Sequence, residues 1–227
     1  MSNRNILMTK EVYDQILDTI VAQHPETGGV LGRKNGIICK YFYDDNADIN
    51  QNRYVPNVEK INTILGQWLK DDIEFAGIIH SHPEDVNELS YADIHYARKI
   101  LQENSLEYVI FPLVVRKNIY MYLIKRNSIY QCGISVINKK VRGYVACTKI
   151  FADLCLCIKY KRKEKKVMEQ KKTVKLSEGT CCAYCCGDCG WSEPGGDSSG
   201  KIWCTRNKAY YYPYESSNGC SGYFTRK

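Results

Sequence analysis

The chain has 227 residues, of which 44% are hydrophobic, with 18 Tyr against 5 Phe; this suffices for a core domain and a modest appendage with many half-exposed rings. Its net charge of +7 is localised: residues 1–157 hold 18 basic and 18 acidic side chains, residues 158–178 carry +6, and the rest carries +1. That excludes a basic partner-seeking surface on the main domain and confines any attraction to nucleic acid to the linker.

No apolar run reaches the roughly 18 residues of a membrane span, and the start from Met1 to Met8 lacks the apolar stretch of a secretory signal. A cytoplasmic protein without a membrane partner is expected. Twelve cysteines in such a reducing setting argue for thiolate metal ligands or buried thiols before disulfides. Five are scattered, whereas Cys181, Cys182, Cys185, Cys186, Cys189, Cys204 and Cys220 crowd the tail.

Thr9 to Gln23 predicts an amphipathic helix, with Val12, Ile16, Ile20 and Val21 at helical spacing and Thr9 as its cap. Gly29–Gly32 and Ile37–Tyr43 read as two strands around an Asn35-Gly36 turn. Asp44 to Pro56, rich in Asp and Asn, reads as a loop placed where it could cover a substrate. Val58 to Leu69 predicts a second helix, with Ile61, Ile64, Leu65 and Leu69 on one stripe.

Phe75–Ile79 is short and wholly apolar, as a strand buried on both faces would be, and delivers His80 at its carboxyl end. Ser90 to Glu103 fits a third helix, Tyr108–Val115 another buried strand, and Ile119–Ile124 and Gly133–Ile137 the last strands of the sheet. The fold class expected is α/β to α+β, a mixed β-sheet flanked by helices over residues 1–157. Residues 158–178 read as a basic linker or charged helix. Residues 179–227, almost without aliphatic side chains, read as a small Cys-rich domain that needs a metal staple.

The residues that carry chemistry are His80-Ser81-His82-Pro83 and Ser90-Tyr91-Ala92-Asp93. Imidazoles two apart on an extended segment point the same way, and a carboxylate at the start of the next helix can supply a third ligand to one ion. Three protein ligands leave a fourth position for water, as a catalytic zinc requires. Taken singly, each residue has a bland reading: a satisfied histidine, or a Ser90–Asp93 capping pair at a helix start.

His-x-His followed by seven residues and Ser-x-x-Asp resembles the JAMM motif of the MPN family, complete from His80 to Asp93. Glu26, in Pro25-Glu26-Thr27-Gly28-Gly29-Val30-Leu31-Gly32, sits in a context similar to that of prokaryotic JAB-type domains. The resemblance covers roughly residues 5–140. It implies that His80, His82 and Asp93 bind a catalytic zinc with a water, that Glu26 moves the water's proton to the leaving amine, and that Ser90 helps hold the oxyanion. It also implies an isopeptidase or peptidase acting on a protein substrate of the ubiquitin-like kind, after a Gly-rich tail that could add as a strand beside the sheet.

Three other readings stand beside it. One is a noncatalytic scaffold of the MPN type. Another is a nucleic-acid-associated, RadC-like protein, using the basic linker and the tail. The third is a nucleobase deaminase through His82-Pro83-Glu84 and a downstream Cys pair, although neither pair is preceded by Pro. In the tail, Cys186, Cys189, Cys204 and Cys220 are the expected ligands of a second, structural zinc, with Cys182 and Cys185 an equally spaced rival first pair.

Overall fold

The computed structural model describes residues 5–20, 26–45, 47–50, 53–83, 86–138, 173–193, 198–215, 220 and 224–227. The chain opens with strand β1 (Asn5–Thr9), which its weak pattern does not announce, and turns directly into helix α1 (Lys10–Thr19). Thr9 caps that helix, its hydroxyl accepting from the Val12 N–H at 3.4 Å. The expected helix therefore begins where its cap residue stands and ends earlier than Gln23; residues 21–25 lie outside the described residues.

β2 (Gly28–Lys34) and β3 (Ile37–Tyr43) form the anticipated hairpin. Its two turn residues, Asn35 and Gly36, sit at φ 53° and 77°, the doubly left-handed turn that matches strand twist and that Asn-Gly accommodates at little cost. The stretch read as a loop holds a two-stranded hairpin, β4 (Asp48–Asn50) and β5 (Arg53–Val55). Helix α2 (Val58–Lys70) follows, then strand β6 (Glu74–Ser81), buried along all but its first residue as expected.

Helix α3 (Tyr91–Glu103) leads to β7 (Tyr108–Ile110) and β8 (Leu113–Val115), the anticipated single strand broken at Phe111-Pro112 because proline offers no N–H to a ladder. β9 (Asn118–Lys125) and β10 (Ser128–Ile137) complete an eight-stranded mixed sheet of order β10-β1-β3-β2-β6-β7-β9-β8. β9 pairs with β7 and β8 and also with β10, so the strands close into a ring.

Side chains alternate between two cores, as the period of two requires. Val30, Ile78 and Val109 face α2 and α3, whereas their neighbours Leu31, Ile79 and Ile110 face α1. Gly77 lets β6 and β7 approach: a Cβ there would lie 1.6 Å from the Ile110 carbonyl oxygen.

After residues 139–172, outside the described residues together with most of the basic stretch, the chain returns onto the first core. Leu176 is buried among the α2 and α3 side chains, and its N–H and carbonyl both bond the Asn62 amide. Residues 173–178, expected as the end of a linker, are thus part of the main domain's packing. The tail then makes a 3₁₀ turn (Cys186–Asp188) and a small three-stranded sheet of β11 (Ser192–Glu193), β12 (Ile202–Cys204) and β13 (Ala209–Tyr211).

Candidate metal centre

His80 is delivered by the end of β6 and His82 follows two residues later, both pointing to the same side, while Ser81 points away and ties β6 to the preceding loop through the Thr27 N–H at 2.9 Å. Asp93 is the third residue of α3. Ser90 caps that helix reciprocally: its hydroxyl accepts from the Asp93 N–H at 3.1 Å, and Asp93 Oδ2 accepts from the Ser90 N–H at 2.7 Å. The capping pair is therefore present, and it fixes the carboxylate where the imidazoles meet it.

The three ligand side chains converge. His80 Nε2 and His82 Nε2 are 3.0 Å apart, His80 Nε2 lies 3.1 Å from Asp93 Oδ1, and His82 Nε2 lies 3.2 Å from Asp93 Oδ2. Ligands at zinc-like bond lengths and tetrahedral angles are spaced by about 3.3 Å, so the cluster has the dimensions of a metal cage. Asp93 Oδ1 accepts no hydrogen bond of ordinary geometry despite its full burial, as an atom shaped to bind a cation would be. The residues fit a zinc ion. Among the described residues this is the only group of three or more candidate ligands whose atoms lie within 4.8 Å of one another.

Electrostatics fit the same use. Burial favours the neutral form of Asp93, but the charges of the neighbouring His80 and His82 outweigh it and hold the carboxyl well below its usual range. Burial likewise pushes His82 down, against the pull of Asp93. Both groups are thus in ligand-competent form at neutral pH. Phe111 meets the His80 ring edge to face at 5.5 Å.

Glu26 precedes β2 and is 1% exposed. Burial raises its proton affinity well above the ordinary carboxylate value, the Ala183 N–H bond opposes this, and Asp93 adds to it. Oε1 accepts from Ala183 at 2.8 Å, and Oε2 has no hydrogen-bond partner.

The sequence matches the family described as prokaryotic homologs of the JAB domain over residues 9–125, more than half of the chain. The chain belongs to that family. Two solved structures are similar to this JAB domain. Protein DSY2949 from Desulfitobacterium hafniense shares 16% identity with a TM-score of 0.45, covering 59% of this chain and 93% of its own. AF2198, a JAB1/MPN domain protein from Archaeoglobus fulgidus, shares 16% with a TM-score of 0.34, covering 60% and 99%. Comparison with curated proteins gives no match.

The tail contributes what the sequence did not foretell. Cys181, Cys182, Ala183 and Cys185 are fully buried against the JAB domain. Cys181 exchanges two backbone hydrogen bonds with Tyr54 of β5, at 2.8 and 2.9 Å. The Tyr54 hydroxyl in turn donates to Asp44 Oδ2 at 3.1 Å, beneath the β4–β5 hairpin. Cys182 and Cys185 pack together on Ala92, one residue before Asp93. They form a wall beside the centre.

The other four cysteines gather farther along the tail. Cys186 and Cys189 bracket the 3₁₀ turn, and Asn207 donates to Cys204 Sγ and to Cys220 Sγ, each at 3.4 Å. Their sulfurs do not meet the 4.8 Å spacing of the His80 group. The deaminase pattern is not completed among the described residues: His82 is at the centre, but Asp93 and His80 rather than cysteines join it, and Glu84 lies outside the described residues.

Proposed function

We propose that this JAB-family chain is a zinc-dependent peptidase or isopeptidase that hydrolyses an amide following an extended, Gly-rich tail of a ubiquitin-like protein. One observation carries the reading: the His80 and His82 Nε2 atoms lie 3.0 Å apart and each lies 3.1–3.2 Å from one carboxylate oxygen of Asp93, with Glu26 buried in reach of the Asp93 charge. A zinc ion held by these three side chains supplies Lewis acidity and lowers the pKa of water.

The chain's own residues do the rest. Glu26 Oε2, free of other partners and with its proton affinity raised by burial, takes a proton from the attacking water and gives it to the leaving nitrogen. Ser90 accepts a backbone N–H while its own hydroxyl proton is left to donate to the developing oxyanion. A substrate strand would add to the edge of β5, the place that Cys181 of the tail takes in this structure.

A cytoplasmic setting accords with the tail cysteines, which are thiols rather than disulfides. A structural zinc on Cys186, Cys189, Cys204 and Cys220 is supported by the N–H donors that Asn207 aims at two of the sulfurs, the usual partners of metal thiolates. The intact ligand set favours the enzyme over a noncatalytic scaffold. The basic stretch that would support nucleic-acid binding lies outside the described residues.

The test incubates wild type and Glu26→Gln with ubiquitin-like fusions and isopeptide conjugates, with and without a chelator, while metal content is measured. Wild-type cleavage should be lost with chelator, return with zinc, and fall by at least about a hundredfold in Glu26→Gln with zinc retained. Cleavage that persists in both the variant and the chelated enzyme overturns the assignment.

A further inference from the structure

Resting on that hydrolase reading, we propose that residues 177–185 act as a tethered pseudosubstrate: the chain's own tail lies in the substrate path with the Cys182–Ala183 peptide bond in the position of the bond to be cut.

Strand addition to β5 is how an extended substrate would be held, and Cys181 already occupies that edge through both of its backbone groups. Two residues on, the Ala183 N–H donates to Glu26 Oε1 at 2.8 Å. A general base that must finally protonate a leaving nitrogen has to reach that nitrogen, and the nitrogen it reaches here belongs to the Cys182–Ala183 amide. The fit is close upstream as well. A Cβ on Gly179 would lie 2.0 Å from the Tyr96 ring, so only a bare backbone passes that point, and the Tyr96 hydroxyl donates to the Ser177 carbonyl at 3.1 Å. The covered groups are His80, His82, Asp93 and Glu26, each no more than 1% exposed.

The segment is held as an inhibitor rather than a substrate because both sides of the amide are fastened. Upstream, Asn62 bonds both backbone groups of Leu176, and Asn104 bonds the N–H and the carbonyl of Lys175. Downstream, Asp188 accepts from the Tyr91 N–H at 2.8 Å and from the Cys185 thiol at 3.0 Å, and the Gly187 N–H donates to the Pro213 carbonyl. Ends produced by cleavage would stay side by side at high effective concentration, so hydrolysis would gain nothing from their separation. A site closed in about nine molecules of ten lowers apparent substrate affinity about tenfold, and loosening the segment restores it.

The test uses full-length, zinc-loaded protein. Ala183→Pro removes the N–H that Glu26 accepts. Asn62→Ala releases Leu176 from outside the site and so leaves the chemistry untouched. Three quantities are read: the rate at which a chelator extracts zinc, alkylation of Cys182 mapped by mass spectrometry, and cleavage of ubiquitin-like fusions. All three should rise by up to about tenfold in both variants.

Zinc leaving wild type as fast as it leaves both variants overturns the proposal. So does a zinc-dependent split of the wild-type chain between Cys182 and Ala183 that Glu26→Gln abolishes, which would make the segment a substrate in cis. Faster zinc loss and labelling without cleavage of any conjugate upholds the segment as a tethered cover of the metal centre and overturns the ubiquitin-like substrate assignment instead.

Discussion

Ser90 caps α3, and a pair of substitutions separates that duty from the oxyanion role proposed for its hydroxyl. Ser90→Ala removes the helix cap and should cost about 1 kcal/mol of stability, whereas Ser90→Gly costs only a few tenths, because glycine is tolerated at that position. If the hydroxyl also donates to the oxyanion, both variants lose about a hundredfold in kcat with zinc still bound; denaturant unfolding and steady-state kinetics on the same preparations tell the two duties apart. Glu26 carries a pH signature of a definite sign in the metal-free protein. Its folded pKa lies above its unfolded one, so its contribution to stability is whole below the ordinary carboxylate range and is lost as pH rises through the folded value. Asp93 runs the other way, contributing above its unfolded pKa and losing that contribution as pH falls. Glu26→Gln isolates the first effect. The Tm difference of metal-free Glu26→Gln over wild type should grow from about pH 5 to about pH 8; a constant difference would contradict it.

Among the elements, those with a strong local signal were legible before the fold was. The Asn35-Gly36 turn, the Val58–Lys70 helix and the buried strand ending at His80 follow from turn chemistry, helical period and unbroken apolarity. The centre was legible for the same reason, since His80, His82, Ser90 and Asp93 span one strand end and one helix start. β1 was not, because five residues of mixed polarity become a strand only through pairing with β10 and β3, over a hundred residues and about thirty residues away in sequence. The β4–β5 hairpin was hidden by its Asp and Asn content, and Cys181–Cys185 gave no local sign that they return to a site a hundred residues earlier. Gly77 shows what close strand approach costs: Gly77→Ala would drive a methyl into the Ile110 carbonyl and should destabilise by about 3 kcal/mol, measurable by urea unfolding.

On the scale of the molecule, the JAB domain is not complete without its tail. Leu176 is 4% exposed within the core of α2 and α3, so Leu176→Ala should cost about 2–5 kcal/mol and lower the stability of the whole domain, not of the tail alone. Unfolding followed by near-UV circular dichroism and by the fluorescence of Trp68 in the domain with Trp191 and Trp203 in the tail should show one shifted transition; two separate transitions would assign Leu176 to an independent unit.

The ring of strands also sets an order of events at synthesis. β1 lies between β3 and β10, and its pairing with β10 runs from Asn5↔Gly133 to Thr9↔Ile137. A ribosome must therefore release the chain as far as β10 before β1 can acquire its second neighbour. Until then β1 exposes a row of unsatisfied backbone groups, and a nascent chain stalled short of Ile137 would be the species that a holding chaperone or a protease meets.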